Sequence, residues 1–451
     1  MPKKTNHIEL LAPAKDLECG IAAITCGADA VYIGAPEFSA RYAASNSIDD
    51  IAKLVDFAHL YYAKVYVALN TILTDEELLS AEKMIKVLYK SGIDALIIQD
   101  TGILELDLPP LPLISSTQMH NDTPEKIIFL QNVGFKRVIL ARELSLEQIK
   151  EIKNKSEIEL EVFIHGSLCV CYSGQCYLSY ALGGRSGNRG VCAQPCRKPY
   201  DLIDAKGSKI SINRHLLSLK DLNLSEYIED LVDAGVSSLK IEGRLKDKNY
   251  VKNVVLFYRN KIDEILGKMD LSKSSEGTTF TDFSPNPTKT FNRGYTTYFL
   301  YGRKKDITSF ETPKFTGDFI GNVNSKYKNH FTVDAETDLK SGDGISFDDR
   351  KGVLTGTFIK KVEKDKIYPE DISEIRVGTQ IYRNLDNAFM KALNKAKIER
   401  KIPVSFDISH YTVGLKLTVY DESGNYAEEM LSIPINEVVS SDRDKMNKAI
   451  N

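Results

Sequence analysis

The sequence lacks any apolar run long enough to span a bilayer. Its first residues, Met1-Pro2-Lys3-Lys4-Thr5-Asn6-His7, have no apolar core of the secretory type. Cysteine is scarce: seven in 451 residues, an odd count, too few for a disulfide scaffold. Neither sign of charge dominates, with 59 Lys+Arg against 62 Asp+Glu and a net charge of −3. That balance excludes a strongly basic nucleic-acid coat but not a local basic patch. No H-E-x-x-H or G-x-S-x-G stretch occurs, so the common zinc and serine peptidase motifs are missing. What remains is 42% hydrophobic and 27% charged, ordinary for a soluble globular chain. The expectation is a cytoplasmic protein with reduced thiols, no membrane partner and about three domains.

The first 265 residues alternate short apolar runs with amphipathic stretches. Strands are predicted at 9–11, 30–33, 65–69, 95–98, 113–116, 137–140, 160–164 and 238–241. Helices are predicted at 16–27, 74–91, 145–153 and 224–234, each opened by a capping or acidic residue or closed by glycine. Eight strands with helices between them predict a (β/α)8 TIM-like barrel over 1–266, the alternative being a doubly wound open sheet. In such a barrel the chemistry lies at the C-terminal strand ends. The residues there include Asn70, Gln99, Asp100, Gln118, Arg142, Glu143, His165, Glu242 and Arg244.

Beyond the barrel, 267–311 reads as a linker followed by an aromatic segment (291–300) that packs back on the barrel. Residues 312–400 carry alternating runs with glycine turns and predict a small all-β barrel. Residues 401–451 read as a partial β domain ending in a helix N-terminus at Ser441-Asp442-Arg443-Asp444. A hairpin with a helix stub is poorly stable alone, so truncation of a longer chain is expected.

Five of the seven cysteines lie between Cys169 and Cys196. Cys169, Cys176, Cys192 and Cys196 are spaced C-x6-C-x15-C-x3-C. Thiolates suit zinc or iron–sulfur clusters. Structural zinc sites usually pair cysteines two to four apart, which only Cys192 and Cys196 satisfy. The wide spacing favours a cluster. Pro199 stands where the third cysteine of a C-x3-C-x2-C motif would be. Cys19 and Cys26 read as apolar core residues of a helix; Cys171 is a spare thiol or an alternative ligand. From Gly166 to Tyr200 there is no Asp or Glu, while Arg185, Arg189, Arg197 and Lys198 supply four positive charges. They either hold a polyanion or offset a thiolate cluster.

The segments 165–176, 187–197 and 238–244, with Glu9-Leu10-Leu11-Ala12-Pro13-Ala14, Gly27-Ala28-Asp29-Ala30-Val31-Tyr32 and Ser218-Leu219-Lys220-Asp221-Leu222, resemble the U-thirty-two family. These are the collagenase-like peptidases of unknown catalytic type. The resemblance covers roughly residues 8 to 300. Its better understood members act in RNA hydroxylation, making 5-hydroxyuridine in tRNA or 5-hydroxycytidine in large-subunit ribosomal RNA, or in oxygen-independent ubiquinone synthesis. The resemblance implies a 4Fe–4S cluster on Cys169, Cys176, Cys192 and Cys196. The wording of 183–190 and the extra β domains look most like the ribosomal RNA branch; Cys171 departs from the pattern.

The expected function is therefore pyrimidine hydroxylation in ribosomal RNA or tRNA. His165, Glu242 and Arg244 would supply proton transfer and anion binding, and Asn70, Asp100, Gln118 and Glu143 would complete the rim. Arg185, Arg189, Arg197 and Lys198 would hold RNA, and a partner would donate electrons. Two alternatives stand beside it. One is a peptidase with a cysteine nucleophile and His165. The other is a non-catalytic protein with a structural zinc; zinc or an empty site is also the expected result of aerobic purification.

Overall fold

The computed structural model describes residues 7–432, apart from 351, 412, 413 and 422. Strands β1 (His7–Ala14), β2 (Ala30–Gly34), β3 (Lys64–Leu69), β4 (Ala95–Ile98), β5 (Leu113–Ser115), β6 (Arg137–Ile139) and β7 (Glu159–Ser167) pair in sequence order, all parallel. An insertion follows, with hairpin strands β8 (Tyr200–Ile203) and β9 (Lys209–Arg214), then β10 (Asp221–Asn223), antiparallel to β7. Strand β11 (Ser238–Ile241) pairs with both β7 and β1 and closes an eight-stranded barrel. Closure rules out the open doubly wound sheet. All eight strands fall on the apolar runs that predicted them.

Helices α1 (Leu17–Thr25), α2 (Ile48–His59), α3 (Asp75–Lys90), α4 (Pro124–Asn132) and α5 (Leu146–Lys155) follow the strands on the outside, with α6 (Leu178–Gly183) in the insertion and α7 (Ile228–Asp233) and α8 (Lys248–Met269) after it. Their starts are chemically marked. Asp16 accepts from the Cys19 amide, and Thr74/Glu77 and Ser145/Gln148 form reciprocal capping boxes. Cys19 and Cys26 are buried on α1 and at its C-terminus, where burial pushes both thiols up to about 12.

The barrel interior is charged. Inward positions alternate along each strand, and here they carry Glu9, Tyr66, Arg137, Glu161, Ser238 and Lys240, all buried. Arg137 pairs with Glu9 and Glu161, and Lys240 Nζ lies 2.8 Å from Glu161. Tyr66 and Ser238 hydroxyls donate to Glu9 at 2.6 and 2.8 Å. Two carboxylates against two cations leave this layer neutral.

The segment 267–289, expected as a linker, is ordered against its neighbours. Ser272–Lys273 pairs with β1, and Thr278–Thr281 pairs with Ile398–Lys401. Tyr295–Thr296 then adds beside β10, and Tyr298 and Leu300 enter the barrel core. Six antiparallel strands between Asp318 and Leu385 close a second, small barrel around Phe331, Ile345, Ile359, Ile367 and Ile381. By its contacts the chain divides after Arg400, so both barrels belong to one unit. The second unit contains an antiparallel meander, Val404–Tyr411, Gly414–Asp421 and Tyr426–Ser432. The helix start expected at 441–444 lies outside the described residues.

Candidate active site

The C-terminal mouth of the barrel opens into a small cavity of about 40 Å³. Asn70, Gln118, Arg142, Lys240, Glu242 and Arg244 line it, together with Tyr32, Arg41 and Phe163. Each charged group follows from the strand that carries it. Lys240 is the last inward residue of β11, and Glu242 and Arg244 follow it at the mouth. Gly166, at φ +103°, lets β7 approach that end closely; a Cβ there would lie 2.5 Å from the Glu242 carbonyl oxygen.

Arg142 Nη2 donates to Glu242 Oε2 at 2.9 Å, and Arg41 lies 3.9 Å from the other carboxylate oxygen. Arg244 Nη1 donates to the Ser39 hydroxyl at 2.8 Å. Burial by itself pushes the Glu242 carboxyl up, but Arg41, Arg142 and Arg244 outweigh it and hold the group below the usual carboxylate value. Burial lowers Arg244 to about 10. The aromatic walls add to the cation binding: Arg142 stacks 3.9 Å from the Phe163 ring centre and Lys240 sits 4.1 Å from that of Tyr32. Lys240 is matched by Glu161 below. That leaves three guanidinium groups around a single carboxylate, an arrangement suited to an anionic or carbonyl-rich ligand.

The cysteine loop is fastened to the same rim. Arg142 Nη1 donates to the Ser167 carbonyl at 3.2 Å, and its charge reaches the Cys169 thiol. Glu143 accepts from the Ser173 amide and hydroxyl at 2.9 and 3.0 Å, and the Tyr172 ring lies against His120. Gly174, at φ +72°, presses on the Gln118 carbonyl, where a Cβ would come within 1.9 Å. Gly174→Ala therefore combines a clash with roughly 1–2 kcal/mol of backbone strain. It is expected to lift the loop, giving faster limited proteolysis within 166–200 and an unchanged circular dichroism spectrum; wild-type cleavage rates would contradict this.

Within the loop, Cys169 and Cys176 hydrogen bond to each other, which raises the Cys169 thiol and lowers that of Cys176. Burial raises the Cys196 thiol, which also feels the charges of Cys169 and Cys192. Cys171 also acts on Cys176 by hydrogen bond and charge, so all five thiols of the loop interact. Among the described residues no three His, Cys, Asp or Glu side chains are arranged around a single metal ion. A soft, all-sulfur donor set has the chemistry that iron–sulfur clusters and zinc both take.

The other expected rim residues have different placements. Asp100 accepts from the Leu73 and Gly102 amides and shapes the turn after β4. Glu143 anchors the cysteine loop. His165 is buried beside Tyr250, Tyr258 and Tyr295 and does not line the cavity. Burial, with Lys246 nearby, lowers its imidazole to about 3, so it is neutral at pH 7. Among the loop cations, Arg197 donates to the Ser218 hydroxyl and the Leu168 and Leu219 carbonyls. Arg189 pairs with Glu77 at the start of α3, and Arg185 donates to the Val191 carbonyl at 2.9 Å. Lys198 is exposed. Arg41, Lys240 and the aromatic walls Tyr32 and Phe163 were not expected from the sequence.

A closed (β/α)8 barrel with a cationic mouth and a cysteine-rich loop fastened to its rim defines a TIM-barrel scaffold of the kind that carries enzyme sites. The model of Peptidase family U32 matches residues 15–309, and the chain belongs to that family. The chain is 46% identical over 434 residues to the 23S rRNA 5-hydroxycytidine C2501 synthase of Escherichia coli (strain K12), covering 94% of this chain and 66% of that protein. It therefore spans just under two thirds of that relative's length. It is 35% identical to tRNA hydroxylation protein P1 of Bacillus subtilis (strain 168), covering 76% of this chain and 84% of that one. It is 29% identical to a protein named collagenase from Porphyromonas gingivalis (strain ATCC BAA-308 / W83), covering 83% and 94% respectively.

Proposed function

We propose that this chain hydroxylates a pyrimidine base of RNA, at C5 of a cytidine in large-subunit ribosomal RNA, with a 4Fe–4S cluster on Cys169, Cys176, Cys192 and Cys196. The observation that carries the reading is Arg142, which joins the cationic cavity to the thiol loop. The names of the ribosomal and transfer RNA relatives supply the substrate class. When bound, such a cluster supplies one-electron chemistry, and an electron-donating partner completes the system.

The chain's own residues do the binding. Arg41, Arg142 and Arg244 hold the negative oxygens of the nucleotide, and Glu242, kept ionised, accepts from the exocyclic amine of cytosine. Asn70 and Gln118 line the cavity between these charges, and Tyr32 and Phe163 exclude water. The target base reaches this depth only when unpaired and flipped out. Arg185 and Lys198, exposed on the loop, meet the backbone phosphates.

A peptidase reading needs a base beside a thiol. His165, the histidine nearest the cysteines in sequence, hydrogen bonds instead to Tyr258 at 3.3 Å. The test is mass spectrometry of ribosomal RNA from a strain lacking this protein. Loss of 5-hydroxycytidine, restored by the wild-type gene, is expected; an unchanged level refutes the assignment.

A further inference from the structure

The small barrel carries a feature that its own core does not need. Its interior is filled by Phe331, Ile345, Ile359, Ile367 and Ile381. Outside that core, three rings form a ladder. Tyr327 and His330 flank a hairpin turn closed by the Tyr327 amide on the His330 carbonyl at 2.8 Å, and their rings stack 4.4 Å apart at 10°. His330 lies 5.1 Å from Tyr368, which the pairing of Phe331 with Ile367 brings alongside, and Lys361 Nζ stands 4.6 Å from the Tyr368 ring centre. Tyr327 is 55% exposed.

The ladder is set among cations. Segments 326–330 and 360–368 contain Lys326, Lys328, Lys360, Lys361, Lys364 and Lys366 against only Glu363 and Asp365. Glu363 pairs with Lys361 at 2.8 Å, an exposed contact of little energy.

We propose that this ring ladder is a binding surface for single-stranded RNA. Aromatic rings give bases a sequence-tolerant stacking platform and lysines follow the phosphates. A-form duplex buries its base faces within the helix and offers nothing to such a ladder. The identity of the polymer rests on the RNA reading above; the surface lies outside the barrel mouth and binds without chemistry.

The test is fluorescence anisotropy of the full chain with a labelled oligoadenylate, which holds no pyrimidine, of about a dozen nucleotides. This probe contains no cytidine, so its binding is independent of hydroxylation, and either reading can fail alone. Tyr327→Ala and Tyr368→Ala are each expected to weaken binding about tenfold, with Tyr368→Phe retaining it. Lys366→Gln is expected to flatten the salt dependence. Alanine variants that bind like the wild type, even with a lowered melting temperature, would show that the ladder only braces its hairpin and would overturn the proposal. Equal affinity for a duplex of the same length would overturn it as well.

Discussion

Arg142→Ala is expected to lower the proposed hydroxylation about a hundredfold or more, the usual cost of removing one oriented donor from a preorganised site. Three contacts end at this side chain: Glu242 at 2.9 Å, the Ser167 carbonyl at 3.2 Å and the Phe163 ring at 3.9 Å. Loss of the first leaves Glu242 to Arg41 and Arg244, and loss of the second frees the base of the cysteine loop. Arg142→Lys restores only part of the activity, because an ammonium cannot stack on Phe163 while donating in two directions. Product formed in a single turnover, measured by mass spectrometry on an RNA fragment at matched iron content, decides the matter. Activity within twofold of wild type in Arg142→Ala would remove this residue from the site.

The second large effect is on stability. Glu161 is the shared partner of Arg137 and Lys240 inside the barrel. Glu161→Ala leaves Lys240 without its counter-charge in a buried layer, while Arg137 keeps Glu9 and Glu159, and a loss of about 3–5 kcal/mol is expected in denaturant unfolding. Replacing both ends of the Lys240 pair, as in Glu161→Leu with Lys240→Met, recovers much of that loss. If Glu161→Ala costs less than about 1 kcal/mol, the layer is not a mutually dependent ion network.

The same layer sets an acid limit. Burial pushes the Glu9 carboxyl up, but Arg137 and the Tyr66 and Ser238 hydroxyls bring it below its usual 4.5. A carboxyl lowered by folding contributes stability that is fully present above the unfolded value and drains away as pH falls through the lower folded value. Stability should therefore fall below about pH 4.5, and Glu9→Gln should flatten that fall while lowering stability at neutral pH.

Much of this was legible in the sequence, and the gaps have physical causes. The eight barrel strands are short β-branched or aliphatic runs between turn residues, and nothing else competes for those segments. Glu242 and Arg244 were visible because they follow a strand end. Lys240 was not, since a lysine inside a four-residue strand looks like an outward, solvated position. In a parallel barrel covered by helices the only alternative face is the interior, and that is the signal that could have found it. Arg41 sits on the short turn Tyr42–Ala44 approach, placed when Asn70 accepts from the Ala40 amide at 3.0 Å; no local pattern encodes that. Asp100 and Glu143 have the same sequence signature as cavity residues, yet their carboxylates serve backbone amides of neighbouring loops.

The measurement that bears most directly on the account is iron and acid-labile sulfide determination on the full chain purified without oxygen. The account predicts a brown protein absorbing near 400 nm with about four iron and four sulfide per chain, and loss of both in Cys192→Ser with the fold retained. A colourless protein with one zinc and no sulfide, or iron content unchanged by Cys192→Ser, would contradict it.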